Sequence, residues 1–159
     1  MRVRTVPYGK VDLPPEFFVD IPEGLPGFEQ NKKFCLLEHS PAGPLKWLQS
    51  VEDPDLAFIV ADPRDFFPGY RLDLTRADLE ILALDSPRQA SVLVMVHIPR
   101  DPAQMTCNLL APLVVNPRTR LGAQVEVRTA GYSSSQSLLE GVTPTAAKRR
   151  ALPARRRTA

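Results

Sequence analysis

The chain has 159 residues, a length that suits one domain with some chain to spare. Apolar residues make up 43%, which excludes a wholly disordered protein, and no apolar run approaches the roughly 18 to 20 residues that cross a bilayer. The net charge of +2 conceals two opposite parts: residues 141–159 carry six basic residues and no acid, whereas residues 1–140 carry 14 basic and 18 acidic ones. An acidic body does not suit nucleic-acid binding, which needs clustered Lys and Arg against phosphate.

The first residues, Met1 to Val6, alternate charged and apolar side chains and lack the apolar centre of a signal peptide, so a cytoplasmic protein is expected. Residues 2–6 and 10–13 are predicted to pair across Pro7-Tyr8-Gly9. Short strands follow at 17–21, 34–38, 46–51 and 56–61. The last two are joined by the acidic turn Asp53-Pro54-Asp55. Thr75 and Asp78 form a Thr-x-x-Asp cap that predicts a helix over 76–84, whose Leu79 and Leu82 plug a barrel end or cover a sheet. Ser86-Pro87 predicts a single turn. The longest strand is expected at 90–98, with Val92, Val94, Val96 and Ile98 on one face and Leu93, Met95 and His97 on the other. Strands at 107–110, 113–116 and 123–128 complete the set. The 17 prolines break the chain often enough to exclude long helices. The fold class is mainly β: a small antiparallel, barrel-like domain over residues 1–130 with one short helix. Residues 131–159, rich in Ser, Pro, Ala and Arg, are predicted to be a disordered basic tail, with a short docking turn at Leu138 and Leu139 as the alternative.

Chemistry is sparse. His39 and His97 lack metal-ligand spacing, and the eight glycines form no phosphate loop. Cys35 and Cys107 lie in apolar, strand-like segments, which predicts buried, inert thiols. Asp53 and Asp55 lack the Gly and distal Glu of a calcium loop and a partner for acid–base work. Neither an enzyme nor a cofactor is expected. What remains is a surface for proteins. Glu52, Asp53 and Asp55 crowd charge onto a turn, and the loop Phe66-Phe67-Pro68-Gly69-Tyr70 offers Phe67 or Tyr70 either as a roof over the core or as an apolar anchor within an acidic rim.

Four stretches carry a resemblance: Ile21 to Glu29, Trp47 to Pro63, Phe67-Pro68-Gly69-Tyr70, and Met105 to Asn116. In order and spacing they resemble the FliW family of bacterial flagellar assembly factors over about residues 1–132. The basic tail departs from that pattern. The resemblance implies a cytoplasmic, non-catalytic, barrel-like monomer that binds flagellin and, when flagellin is absent, the RNA-binding translational repressor CsrA. Translation of flagellin would then follow its secretion. The expected protein-binding residues are Glu52, Asp53, Asp55, Phe67, Tyr70, Thr106, Asn108 and Leu110, with no nucleic acid or membrane bound by the body. The alternative function is RNA binding through Lys148 to Arg157 of the tail.

Overall fold

Alternating apolar and polar residues build one curled antiparallel sheet and a separate hairpin in this computed structural model, which describes residues 1–41, 43–129 and 131–139. The hairpin pairs β1 (Arg2–Thr5) with β2 (Gly9–Asp12). The sheet comprises β3 (Phe18–Asp20), β4 (Lys33–Glu38), β5 (Leu45–Ser50), β6 (Ala57–Ala61), β7 (Ser91–His97), β8 (Thr106–Cys107), β9 (Leu113–Val115), β10 (Gly122–Gln124) and β11 (Gln136–Ser137). Its order is β10-β9-β7-β6-β5-β4-β3. Strand β7 changes partner along its length: Ser91 to Leu93 face β9, while Val96 and His97 face β8.

The sheet curls until its two ends touch. A single parallel bridge joins Asp20 to Leu121, with the Asp20 N–H donating to the Arg120 carbonyl at 2.9 Å. The Arg120 Nε adds a bond to the Phe18 carbonyl at 2.9 Å. The contact is close because position 122 is glycine; a Cβ there would lie 2.9 Å from Val19 Cγ1. The fold is therefore barrel-like as predicted, but its seam is one bridge and not a ladder.

The alternation predicted for the longest strand holds. Leu93 and Met95 face the barrel interior with Val19, Ile21, Phe34, Leu48, Val60, Leu113 and Val115. Val92, Val94 and Val96 face outward under Phe66, Tyr70, Met105, Leu109 and Leu138. The hairpin covers a second outer area through Val3.

The helix α1 (Arg76–Ile81) covers the third. It has the predicted cap: Thr75 Oγ1 accepts from Asp78 N at 3.1 Å, and Asp78 Oδ2 from Thr75 N at 3.0 Å. Leu82 is fully buried with Val114 and Val125, so the helix lies over the sheet instead of plugging an end. It stops three residues short of the predicted end because Ala83 turns left-handed, at φ 55°. Ala83 N then bonds the Glu80 carbonyl and Leu84 N the Leu79 carbonyl, a Schellman ending, and Asn116 Nδ2 satisfies the carbonyls of Leu82 and Ala83. Alanine at that φ carries strain of about 1–2 kcal/mol, from which the extra freedom of an unfolded glycine subtracts about 0.4–1 kcal/mol. Ala83→Gly is thus expected to raise stability by about 0.5–1 kcal/mol, read as a higher urea midpoint at unchanged slope.

Prolines initiate the short 3-10 turns. Pro63, Pro87 and Pro102 follow Asp62, Ser86 and Asp101, whose side chains each accept a turn amide. The turn predicted at Ser86-Pro87 is among them.

The C-terminal expectation needs correcting for residues 131–139. They belong to the fold: β11 pairs with β8, Leu138 N–H donates to the Met105 carbonyl at 3.1 Å, and the Leu138 side chain is buried in the core. A polar segment is ordered here because β8 offers it a strand edge and the core offers Leu138 a slot. The rest of the predicted tail, residues 140–159, lies outside the described residues.

Cys35 and Cys107 are buried and unpaired with each other, and burial pushes their thiols up from 9.0 to about 11 and about 12. The unfolded chain loses these protons first. Stability is therefore intact below pH 9.0 and falls as pH rises through the window up to about 12. An alkaline urea titration is expected to show this fall, and a Cys35→Ala/Cys107→Ala chain to show a shallower one.

Candidate functional site

The acidic turn is built on a buried amide. Gln49 of β5 is 0% exposed, and its Oε1 accepts the Val6 N–H at 2.7 Å. Its Nε2 donates inside the turn, to the carbonyls of Ser50 at 2.9 Å and Leu56 at 3.1 Å, with those of Pro54 and Asp53 at 3.3 and 3.4 Å. Ser50 Oγ donates to Asn31 Oδ1 at 2.6 Å and accepts from Asp53 N at 3.0 Å. Asp53 Oδ1 accepts from Asp55 N at 3.0 Å, which closes the tip. The carboxylates of Asp53 and Asp55 end up exposed on a turn that bonds from the Gln49, Ser50 and Asp53 side chains to the main chain hold in shape.

Glu52, one of the three acids that crowd charge onto the turn, also ties the turn down. Its Oε1 accepts from both Lys32 N and Lys33 N, each at 2.8 Å. It is a clamp between the acidic turn and the start of β4. With Ser50–Asn31 it sets the turn beside the loop 22–31, whose Phe28 N–H returns to Leu25 O at 2.7 Å. Glu29 lies on the same loop. The Gly27 amide, donating to Glu29 Oε2 at 2.9 Å, holds that carboxyl below its ordinary range.

That loop presents an aromatic ring. Phe28 is 39% exposed and meets Phe58 of β6 edge-on, with centroids 5.2 Å apart. Together with Leu25, Pro26, Met95, Asn108 and Ala111 they line a groove of about 380 Å³ at the barrel mouth, bounded on its far side by Gln124, Val125 and Glu126. One end of the barrel thus joins the exposed Phe28 ring and the half-buried Phe58 to the carboxylates of Asp53, Asp55, Glu29 and Glu126.

The other predicted residues are spread more widely. Asn108 reaches the groove, with its N–H on the Met95 carbonyl at 3.0 Å and its Oδ1 accepting from Leu110 N at 3.0 Å. Leu110 is half-buried, and its carbonyl receives Val127 N–H at 2.8 Å. Thr106 lies in β8 between His97 and Ser137. Phe67 and Tyr70 belong to a second cleft of about 420 Å³ with Leu109, Tyr132 and Gln136. Tyr70 does not serve as an exposed anchor: it is 5% exposed, its hydroxyl donates to the Leu109 carbonyl at 2.8 Å, and its ring stacks on Tyr132 at 4.8 Å. Burial raises its phenol pKa above the usual range. Phe67 remains half-buried, a roof over the same cluster.

Sequence reasoning missed Gln49, Phe28 and Met95. A polar residue just before a proline turn was the mark of Gln49, and an aromatic just after Pro26-Gly27 was that of Phe28. Met95 carried no mark beyond its place on the inward face of a strand.

A sequence-family model described as FliW protein matches residues 2–138, the span over which the described fold extends. The chain is 35% identical over 140 residues to the flagellar assembly factor FliW of Geotalea uraniireducens, covering 88% of this chain and 85% of that protein. It is 36% identical over 143 residues to that of Moorella thermoacetica, covering 88% and 89%. A crystal structure of a flagellar assembly factor FliW superposes with a TM-score of 0.79 at 31% identity, over 87% of this chain and 96% of that one. By family match, by relatives of nearly full length and by fold, this chain belongs to the FliW family of flagellar assembly factors.

Proposed function

We propose that this flagellar assembly factor works by reversible, stoichiometric binding of proteins: it holds newly made flagellin and, when flagellin is scarce, binds the translational repressor CsrA away from its RNA surface. Flagellin and CsrA then compete for it, so flagellin synthesis follows secretion. The observation that carries this reading is the pairing at one barrel end of the exposed Phe28 ring, edge-on to the half-buried Phe58, with the preformed acidic turn of Asp53 and Asp55. An RNA-binding protein is basic because it must neutralise phosphate, and fixed carboxylates attract a protein of that charge while discouraging RNA from approaching beside them. The flat cost of ordering such a turn is already met by Gln49 and Ser50. Among the described residues no helix is long and apolar enough to cross a membrane.

The test is co-purification of the full chain with flagellin and with CsrA, followed by titration of each complex with the other partner. Displacement supports the reading, and failure to bind either partner overturns it. In the same system Asp53→Asn/Asp55→Asn, with Glu52 left in place, is expected to slow association with CsrA about 5-fold at low salt and to flatten its salt dependence, while the off-rate changes little. Equal rates at every ionic strength would make the turn ordinary solvated surface.

A further inference from the structure

Strand β10 has one paired edge and one open edge. Val125 N–H donates to the Pro112 carbonyl at 3.0 Å and Val127 N–H to the Leu110 carbonyl at 2.8 Å, on the β9 side. Antiparallel pairing alternates, so the main-chain N–H and C=O groups of Gln124 and Glu126 face the opposite way, toward the seam. There β3 has already turned away after its single bridge at Asp20–Leu121, and among the described residues no main-chain hydrogen bond reaches those groups. The seam is open where the apolar groove lies. Beside Gln124, Val125 and Glu126 that groove is lined by Leu25, Pro26, Phe28, Phe58 and Met95.

We infer that this open seam receives an extended segment of the partner protein, which adds as a strand to the outer edge of Gln124–Glu126 and seats its alternate apolar side chains between Phe28, Phe58 and Met95. The inference rests on the protein-binding reading above and supplies its mode. An edge with two free N–H and two free C=O groups recognises extended backbone, whereas a helix keeps its own backbone groups satisfied and would leave the edge unpaired. Charge sets the kind of segment. Among the described residues Glu126 is the one charged side chain lining the groove; the loop 22–29, which supplies Leu25, Pro26 and Phe28, carries Glu23 and Glu29 and no base, and the turn of Asp53 and Asp55 is tied to the same loop region through Glu52 and Ser50. A basic segment fits, and an acidic one is repelled. Of the two proposed partners, the RNA-binding one must be basic, so CsrA is the probe.

The experiment is amide hydrogen exchange on the full chain, free and in complex with CsrA. The amides of Gln124 and Glu126 are expected to exchange freely alone and to slow at least about 10-fold in the complex, while Val125 and Val127 are protected in both states. Glu126→Pro removes an N–H that the β9 pairing does not use, and is expected to weaken CsrA binding about 30-fold or more, against about 3-fold at most for Glu126→Gln. A melting curve establishes that the proline chain is folded; where it is not, the exchange result on the unaltered chain decides alone. A complex in which both amides exchange as in the free chain overturns strand addition and leaves the protein-binding reading standing. Protection of both amides in the free chain means that the chain itself fills the edge, which overturns the inference. Absence of any complex with either CsrA or flagellin overturns the reading and the inference together.

Discussion

Gln49→Leu, a change at near-equal volume, is expected to lower stability by about 4 kcal/mol. The change keeps bulk and removes every polar contact of a residue that is 0% exposed. Val6 N–H loses its acceptor and the Ser50 carbonyl its donor, while the Leu56 carbonyl keeps only the Ser50 N–H. Each buried group left unpaired costs about 1–3 kcal/mol. For a chain of this size the loss corresponds to a fall in melting temperature of roughly 10 °C. The acidic turn loses its internal scaffold at the same time, so the slower CsrA association described for the Asp53/Asp55 variant should appear here without any change in surface charge. A melting temperature within 2–3 °C of wild type, which for this size is under about 1 kcal/mol, would show that water replaces the amide and that the turn holds its own shape.

Gly24→Ala is expected to be nearly as costly, at about 3 kcal/mol or more. Gly24 sits at φ +68°, and an added Cβ would lie 2.6 Å from Glu29 Cα and 2.7 Å from the Glu29 carbonyl oxygen. Both are main-chain atoms, so the loop that carries Phe28 has to move. Gly27→Ala is the internal control. It shares the left-handed φ, at +85°, but nothing lies within 4 Å of the new methyl. It should therefore cost only backbone strain, about 1–2 kcal/mol. Urea unfolding of the two variants side by side separates strain from collision. Equal losses would mean that the loop accommodates the methyl without displacement.

Local rules made much of this architecture readable. Strict alternation placed Val92, Val94 and Val96 opposite Leu93 and Met95, and a four-residue cap placed the helix start at Thr75. What stayed hidden depends on partners distant in the chain. Tyr70 sits in a Pro-Gly loop and reads as surface, yet the carbonyl of Leu109 gives its hydroxyl a buried partner. Gln136 and Ser137 are too polar to announce a strand, and become one only because β8 is there to pair with. The end of the helix needed knowledge that Asn116 would satisfy its last carbonyls. The candidate site followed the same division. The acidic turn was visible as a motif, whereas the groove joins residues 25, 26, 28, 58, 95, 108, 111 and 124–126, which no local window contains.

The single bridge at the seam also governs the order of events during synthesis. The guanidinium of Arg120 reaches the Phe18 carbonyl across 102 positions of sequence, and among the described residues the core side chain furthest along the chain is Leu138. Loops of that span close slowly, because chain entropy is lost before any contact is gained. Strands β3 to β7 can zip together as neighbours while the chain is still growing, but their outer edge has no mate until residue 121 has emerged. The nascent protein therefore carries an uncovered sheet edge for most of its translation, and reaches its native form as a late, whole-chain event.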